Sequence, residues 1–504
     1  MDSRPPEINV VTLNVWGLKH ISKLRTERIA EIAHRLAEAN PQPHIVALQE
    51  LFCAADYRAI RHETRAVLPY GKHYYGGAFG SGLAILSRWP IEETSMFAYP
   101  LNGRPTAFWR GDWYVGKGVA CAKIRFGPGR RDVVEVFNTH LHARYSSDKD
   151  NSYDCHRAAQ AWEYARLLRG AADRGHLVLG LGDLNMLPLS LPHTIITSHA
   201  PVRDAWRVLH PNSSLGPAHY APEAARGVPV PTAEFNIREN GATSDGCYNT
   251  WRWSPAQQRL AAQGHEAAVV SPDAIDEAGK RLDYILIGTG DVAASDGAGW
   301  VVKDVRVGML EPHPSLRCSV SDHFSAEATL VFHVPSSSPR PASRASDSEA
   351  VNSGAYLQTN SPVPSDAPSE PFTAQLRAAT LAPDDLTPSA YDEVLSLISS
   401  YSARERSQRR LRAYHFLASL GAWLACLVGT WFTPPFASFL LLLVGSLSLV
   451  AGTVDGLIAL LFVGSELRAL KEFEWEVLNA RCGGEHEYSP ARDTPPTTDK
   501  GRRA

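Results

Sequence analysis

The chain has 504 residues, 44% hydrophobic and 20% charged, with a formal net charge of −3. That length exceeds one ordinary domain, and the near-neutral balance excludes a global basic field of the kind that draws a protein onto nucleic acid. Seven cysteines stand singly with no CxxC pair, which argues for reduced thiols in a reducing compartment and against a disulfide framework.

The first residues, MDSRPPEINVVTLNVWG, carry a short apolar stretch broken by Asn9 and Asn14. They lack the basic start and longer apolar core of a signal peptide and read as a strand. From there to residue 333, strand-like runs (INVVTLNV, IVALQEL, GLAILSRW, GVACAKIRF, VVEVFNTHL, LVLGLGDLN, RLDYILIG, SAEATLVF) alternate with SKLRTERIAEIAHRLAEA and HRAAQAWEYARLLRGAADR. The last two place apolar residues at helical spacing. Strands outnumber helices and several follow one another directly, which predicts an α/β domain, 1–333, of largely antiparallel sheets faced by helices. The stretch 211–280, rich in Pro, Ala and Gly, reads as long loops.

Residues 334–375 are Ser/Pro-rich with few large apolar side chains, too little to offset the entropy of ordering, and read as a disordered linker. A short polar, partly helical juxtamembrane stretch, 376–410, follows. Two apolar runs, 411–432 and 436–463, are joined by Thr433-Pro434-Pro435. At ~1.5 Å per residue the first reaches roughly 33 Å, enough to span a hydrocarbon core. Neither run alternates polar and apolar faces, so the pair reads as a transmembrane hairpin, 411–463, with a cytosolic tail, 464–504. Arg404, Arg406, Arg409, Arg410 and Arg412 sit before or at the start of the first run while the turn carries no charge, which places both ends in the cytosol. The same arginines are candidates for attracting an anionic phospholipid activator. Asp455, flanked by Gly452 and Gly456, reads as part of a helix–helix contact, with a proton path as the alternative.

The chemistry lies in polar residues at the ends of apolar strands: Asn14 in TLNVWG, Glu50 in VALQEL, His140 in FNTHLHA, Asp183 and Asn185 in GLGDLN, Asp283 in RLDYIL, and Asp322 with His323 in SDHFS. Singly each is a common cap or surface pair. Together they offer oxygen ligands for a hard cation such as Mg²⁺, with Mn²⁺ as a substitute, beside an imidazole that can take a proton at neutral pH. No paired Cys and His stand at zinc spacing. Asp283 is the candidate for orienting the histidine.

This ordered set resembles the endonuclease/exonuclease/phosphatase superfamily across nearly all of residues 8–333. The resemblance implies a deoxyribonuclease-I-like four-layer α/β sandwich with the site at one edge of two central sheets. It also implies metal binding by Glu50 and Asn14, phosphate contacts from His140 and Asn185, and nucleophile positioning by Asp183. His323 would be the general base, with Asp283 and Asp322 supporting the base and the metal shell. Within that superfamily LNVWGLKH, LPYGKHYYGGAFGSGLAILSRWPI, FNTHLHARY, NTWRW and the paired C-terminal spans are similar to neutral sphingomyelinases and, more closely, to fungal inositol phosphosphingolipid phospholipases C. GDWYVGKGV resembles the P-loop-like segment of that family, in which an Asp and a Lys, here Asp112 and Lys117, are implicated in activity or its switching. Gly118 stands where a nucleotide site needs Ser or Thr, so no nucleotide is expected. Phe108, Trp109, Trp113 and Tyr114 nearby read either as core or as a lipid-facing aromatic cluster.

The expected activity is metal-dependent hydrolysis of a membrane sphingolipid to ceramide and a phosphorylated headgroup. The expected location is the endoplasmic reticulum, with the mitochondrial outer membrane as alternative. An inositol phosphate phosphatase of the same fold and a membrane-tethered, non-catalytic lipid scaffold are the competing readings. CYNTWRW where the phosphatases carry a WCDR-type motif weakens the first, and the complete set of acidic and His positions weakens the second.

Overall fold

The computed structural model describes residues 3–107, 109–144, 153–264, 269–292, 295–335, 369–380 and 385–483. They divide into two compact units: 1–146 with 160–385, and 147–159 with 386–504.

In the first unit the strands are β1 (Glu7–Asn14), β2 (Ile45–Gln49), β3 (Tyr70–His73), β4 (Ala84–Ser87), β5 (Ile91–Ala98), β6 (Gly118–Arg125), β7 (Val133–His140), β8 (Leu177–Asp183), β9 (Arg203–Asp204), β10 (Asp283–Thr289), β11 (Gly299–Gly308) and β12 (Ser325–His333). They form two six-stranded sheets, ordered β11-β12-β1-β2-β4-β3 and β5-β6-β7-β8-β10-β9. Most pairs are antiparallel; β1–β2 and β7–β8 are parallel.

Alternation along each strand decides which side chains meet. Ile8 and Val10 of β1 join Ile45, Ala47, Val134, Val136, Leu179 and Leu181 in the core shared by both sheets. Val11 and Leu13, one residue out of phase, face the opposite way with Ile29, Ile32 and Leu36 of the helix Arg25–Glu38. On the second sheet the helix Asp154–Asp173 is fixed by Tyr164, whose buried hydroxyl donates to the carbonyl of Phe137 at 2.9 Å. Helix, sheet, sheet and helix give the four-layer sandwich.

The unit does not end at residue 333. The helix Ser369–Thr380, partly inside the stretch read as linker, packs Leu376 against Val292 and Val301. Gln375 exchanges two 2.9 Å hydrogen bonds with the backbone of Val302, where a bulge leaves the edge strand β11 short of partners. The helix thereby covers a sheet edge. The remainder of that linker, 336–368, lies outside the described residues, as does the tail from 484.

In the second unit the juxtamembrane stretch and the first apolar run are one helix, Pro388–Gly429, and the chain returns through Pro435–Leu457, a π turn at Ile458–Phe462 and Val463–Arg481. Leu443, Val444 and Leu447 are among many large apolar side chains left exposed, as lipid-facing helices require. Small residues set the helix spacing: a Cβ on Gly452 would lie 2.4 Å from that of Ser419. Asp455 pairs with Arg412 and, at 2.7 Å, with His415 across the hairpin. Arg412 is therefore turned to the partner helix, while Arg404 pairs with its neighbour Glu405 and keeps its side chain 39% exposed. Arg406, Arg409 and Arg410 are exposed.

Candidate active site

Strand register brings the polar ends together. Asn14 pairs with Gln49 across the parallel β1–β2 contact, so Asn14 and Glu50 leave the first sheet at one edge. In the second sheet Asp183 is opposite both His140 and Asp283. His323 lies two residues before β12, which runs antiparallel to β1. Gly182 makes this approach feasible: at φ 141° its missing Cβ would sit 1.9 Å from the Thr139 carbonyl oxygen. Glu50 and Asn185 adopt left-handed backbone, φ 57° and 44°, just beyond their strands. Such strained conformations concentrate where side chains must be aimed.

Asp183 is the hub. One carboxylate oxygen accepts from Asn14 Nδ2 at 3.1 Å and lies 3.4 Å from His140 Nε2 and 3.8 Å from His323 Nε2. The other accepts the Asn185 backbone N–H at 3.0 Å. Asn14 Nδ2 also donates to Glu50 at 3.2 Å, so a continuous chain of contacts joins Glu50 to His323. His323 Nδ1 lies 2.8 Å from Asp283. Asn185 donates its side-chain amide to the Leu141 carbonyl at 3.1 Å.

The electrostatics follow from burial and crowding. Burial, reinforced by the charge of Asp322, pushes the Glu50 carboxyl up to about 7. Burial also raises Asp322, with the charge of Asp183 adding to it and His323 and Arg252 opposing it. Burial opposes a charge on His323, yet Asp283 and Asp183 outweigh it and hold the imidazole well above its ordinary value. His140 is pushed down to about 3 by burial and by Lys117.

A divalent cation fits this donor set. Glu50 Oε2 is buried without a hydrogen-bond partner, and Asp183, Asp283 and His323 each offer a ligand atom within 4.8 Å of the others. Crowded carboxylates with an orphaned oxygen are the environment a hard cation stabilises. Asn14, expected as a metal ligand, turns its amide nitrogen toward the carboxylates, while its Oδ1 accepts the Trp16 N–H at 3.0 Å. In this orientation it positions carboxylates.

Asp112 and Lys117 form a buried pair at 3.5 Å beneath the end of β7. Lys117 Nζ donates to the carbonyls of His140 and Leu141 at 3.3 and 3.2 Å, and Asp112 lies 3.2 Å from His142. The four-residue helix Asp112–Val115 and the strand after it supply no P-loop geometry. Of the aromatic cluster, Trp109 is 74% exposed, Trp113 and Tyr114 are half-buried, and Phe108 lies outside the described residues.

Two supports escaped the sequence reading. Arg28 is fully buried and donates to the carbonyls of Val15, Trp16, Lys23 and Val320, tying the segment after Asn14 to the one before Asp322. Its signal was a charge on the stripe shared with Ile32 and Leu36. Gln49 bonds Asn138 at 2.7 Å, joining the two sheets under the site.

The profile of the Endonuclease/Exonuclease/phosphatase family matches residues 11–323. The inositol phosphosphingolipids phospholipase C of Schizosaccharomyces pombe is 34% identical over 482 residues, 94% of each chain. The chain belongs to this phospholipase family. The Saccharomyces cerevisiae protein of the same name is 33% identical over 504 residues, covering 95% of this chain and 91% of that one. Human sphingomyelin phosphodiesterase 2 is 32% identical over 199 residues, 40% of this chain and 46% of its own. Similarity to the two yeast proteins therefore extends through the hairpin, whereas the match to the human enzyme covers less than half of either chain.

Proposed function

We propose that the chain is a membrane-anchored phospholipase C that hydrolyses inositol phosphosphingolipids to ceramide and a phosphorylated headgroup. The observation that carries this reading is the Glu50–Asn14–Asp183–His323–Asp283 chain of contacts, in a protein that aligns with two such phospholipases end to end.

In this reading His323 Nε2 and Asp183 hold the attacking water, and His323, which would be neutral once a bound cation offsets the carboxylates that otherwise favour its charged form, takes the water's proton. Asp283 fixes the imidazole through Nδ1–H and offsets the charge it gains. His140 and Asn185 contact the phosphoryl oxygens. As the new P–O bond forms, the bond to the ceramide oxygen breaks and that oxygen takes up a proton from solvent water, while His323 returns the proton it gained to solvent. Glu50 and Asp322 would hold Mg²⁺, with Mn²⁺ as substitute; when bound, the cation supplies Lewis-acid polarisation of the phosphate and neutralises the carboxylate field. Asp112 and Lys117 act from below by holding the end of β7 that carries His140.

The membrane is the second part of the reading. Ile21, Tyr75, Phe79, Trp109 and Leu189, 53–74% exposed, occupy connections that leave the sheets at the site edge. Apolar tips around a polar cleft suit contact with a lipid surface. The exposed Arg406, Arg409 and Arg410 before an apolar hairpin with an uncharged tip favour cytosolic ends and attraction to anionic phospholipid, in the endoplasmic reticulum or mitochondrial outer membrane.

The test is release of ceramide from labelled inositol phosphosphingolipid in detergent micelles with Mg²⁺. Wild type is expected to release it, and His323→Ala together with Glu50→Ala to abolish release. Retained activity in that double variant overturns the assignment.

A further inference from the structure

The NTWRW segment carries an arginine that the catalytic reading leaves unused. Asn249 donates to the carbonyl of Ser321 at 3.1 Å, and Thr250 and Ser319 exchange backbone-to-hydroxyl bonds at 3.0 and 2.8 Å. Trp251 Nε1 donates to the Ser319 carbonyl at 2.8 Å. Arg252 is thus stapled beside the segment that leads into Asp322 and His323. From the other side Ser244 forms bridges with both Lys280 and His323, which places the two in one row on either side of Ser244.

Arg252 and Lys280 converge on one carboxylate. Asp245, at φ 61°, pairs with Lys280 at 2.5 Å and with Arg252. Both cations keep a solvent face, their side chains 28% and 45% exposed for Lys280 and Arg252 respectively. Both cations face the Asp245 carboxylate, and Arg252 also acts on Asp322, so two fixed cations stand at the rim beside His323. Exposed ion pairs contribute little to stability, so a fixed pair of cations here is poorly explained by folding alone.

We propose that Arg252 and Lys280, pinned by Asp245, select the headgroup: they donate hydrogen bonds to a polyhydroxylated or further phosphorylated headgroup and repel a quaternary ammonium. This rests on the phospholipase reading and names its substrate class. The ceramide portion is common to both lipids, so discrimination must arise from groups on the headgroup side. Like charges brought together cost affinity for the wrong substrate, while hydroxyl acceptors gain from charged donors.

The experiment compares kcat/KM of the full-length protein for an inositol phosphosphingolipid and for sphingomyelin, in identical mixed micelles with saturating Mg²⁺. Arg252→Gln and Lys280→Gln are each measured beside wild type, with thermal unfolding recorded for all. Each variant is expected to lower the inositol-to-choline ratio of kcat/KM by roughly tenfold, through the inositol lipid, with the choline lipid unchanged or faster. Equal losses on both lipids, or no change on either, overturn the proposal. If wild type cleaves neither lipid, the phospholipase reading itself fails. If wild type is active and the ratio stays fixed in both variants, only the headgroup assignment fails.

Discussion

His323 turns Nδ1 to within 2.8 Å of a buried Asp283 oxygen while its Nε2 faces Asp183 at 3.8 Å. One imidazole is thereby oriented from one side and presented to the reacting centre from the other. Asp283→Asn keeps the shape but loses the carboxylate that accepts Nδ1–H. The expected result is a fall in kcat of roughly 10²–10⁴-fold with little change in KM. Steady-state kinetics on inositol phosphosphingolipid micelles, with circular dichroism confirming the fold, checks it.

Metal removal is the next expectation. Chelation should abolish turnover and added Mg²⁺ restore it. Glu50→Gln deletes the carboxylate whose Oε2 lies buried and unpartnered. It should raise the half-saturating Mg²⁺ concentration by roughly 10–100-fold. A metal titration of activity, paired with metal-induced shifts in the melting temperature, measures both arms.

Asp204 gives a pH dependence of stability away from the site. It pairs with buried Arg281 at 2.8 Å and lies 3.4 Å from His193. Burial raises its carboxyl, but Arg281 and His193 outweigh burial and hold it well below the usual carboxylate range. A folded value below the unfolded one, about 3.9, contributes stability that is present above the unfolded value. That stability is lost as pH falls through the folded one. Asp204→Asn should therefore cost about 3–5 kcal/mol near neutrality by stranding Arg281. The gap from wild type should narrow below about pH 4. Urea unfolding of the two proteins across pH 3–7 reads this directly.

Acidic lipid should stimulate the enzyme through the arginines that the hairpin does not itself engage. Reversing Arg406, Arg409 and Arg410 to Glu should remove most of the gain in activity produced by phosphatidylserine in mixed micelles. Activity on neutral micelles should be largely retained. An unchanged response would show that these residues only set orientation.

Much of this was legible in the sequence because strand ends advertise themselves. The eight runs expected as strands are β1, β2, β4, β6, β7, β8, β10 and β12, and they carry every residue of the Glu50–His323 chain or adjoin it. Four strands, β3, β5, β9 and β11, were missed, two of them for clear physical reasons. β5, IEETSMFA, is an edge strand with most side chains exposed, so it lacks a buried alternation. β11 loses its phase at the Val302–Asp304 bulge. Ser369–Thr380 sat beside Ser/Pro-rich sequence, and its anchors, Leu376 and Gln375, make sense only once β11 is in place. Arg28 and Gln49 were passed over because polar groups that satisfy backbone or each other in the interior look, in sequence, like surface residues.

The most direct measurement is the fate of oxygen when the full-length protein turns over inositol phosphosphingolipid with Mg²⁺ in ¹⁸O-water. Attack on phosphorus with departure of the ceramide oxygen predicts one ¹⁸O in the released headgroup phosphate and none in ceramide. Label in the ceramide hydroxyl, or release of ceramide phosphate with unphosphorylated headgroup, would contradict the account.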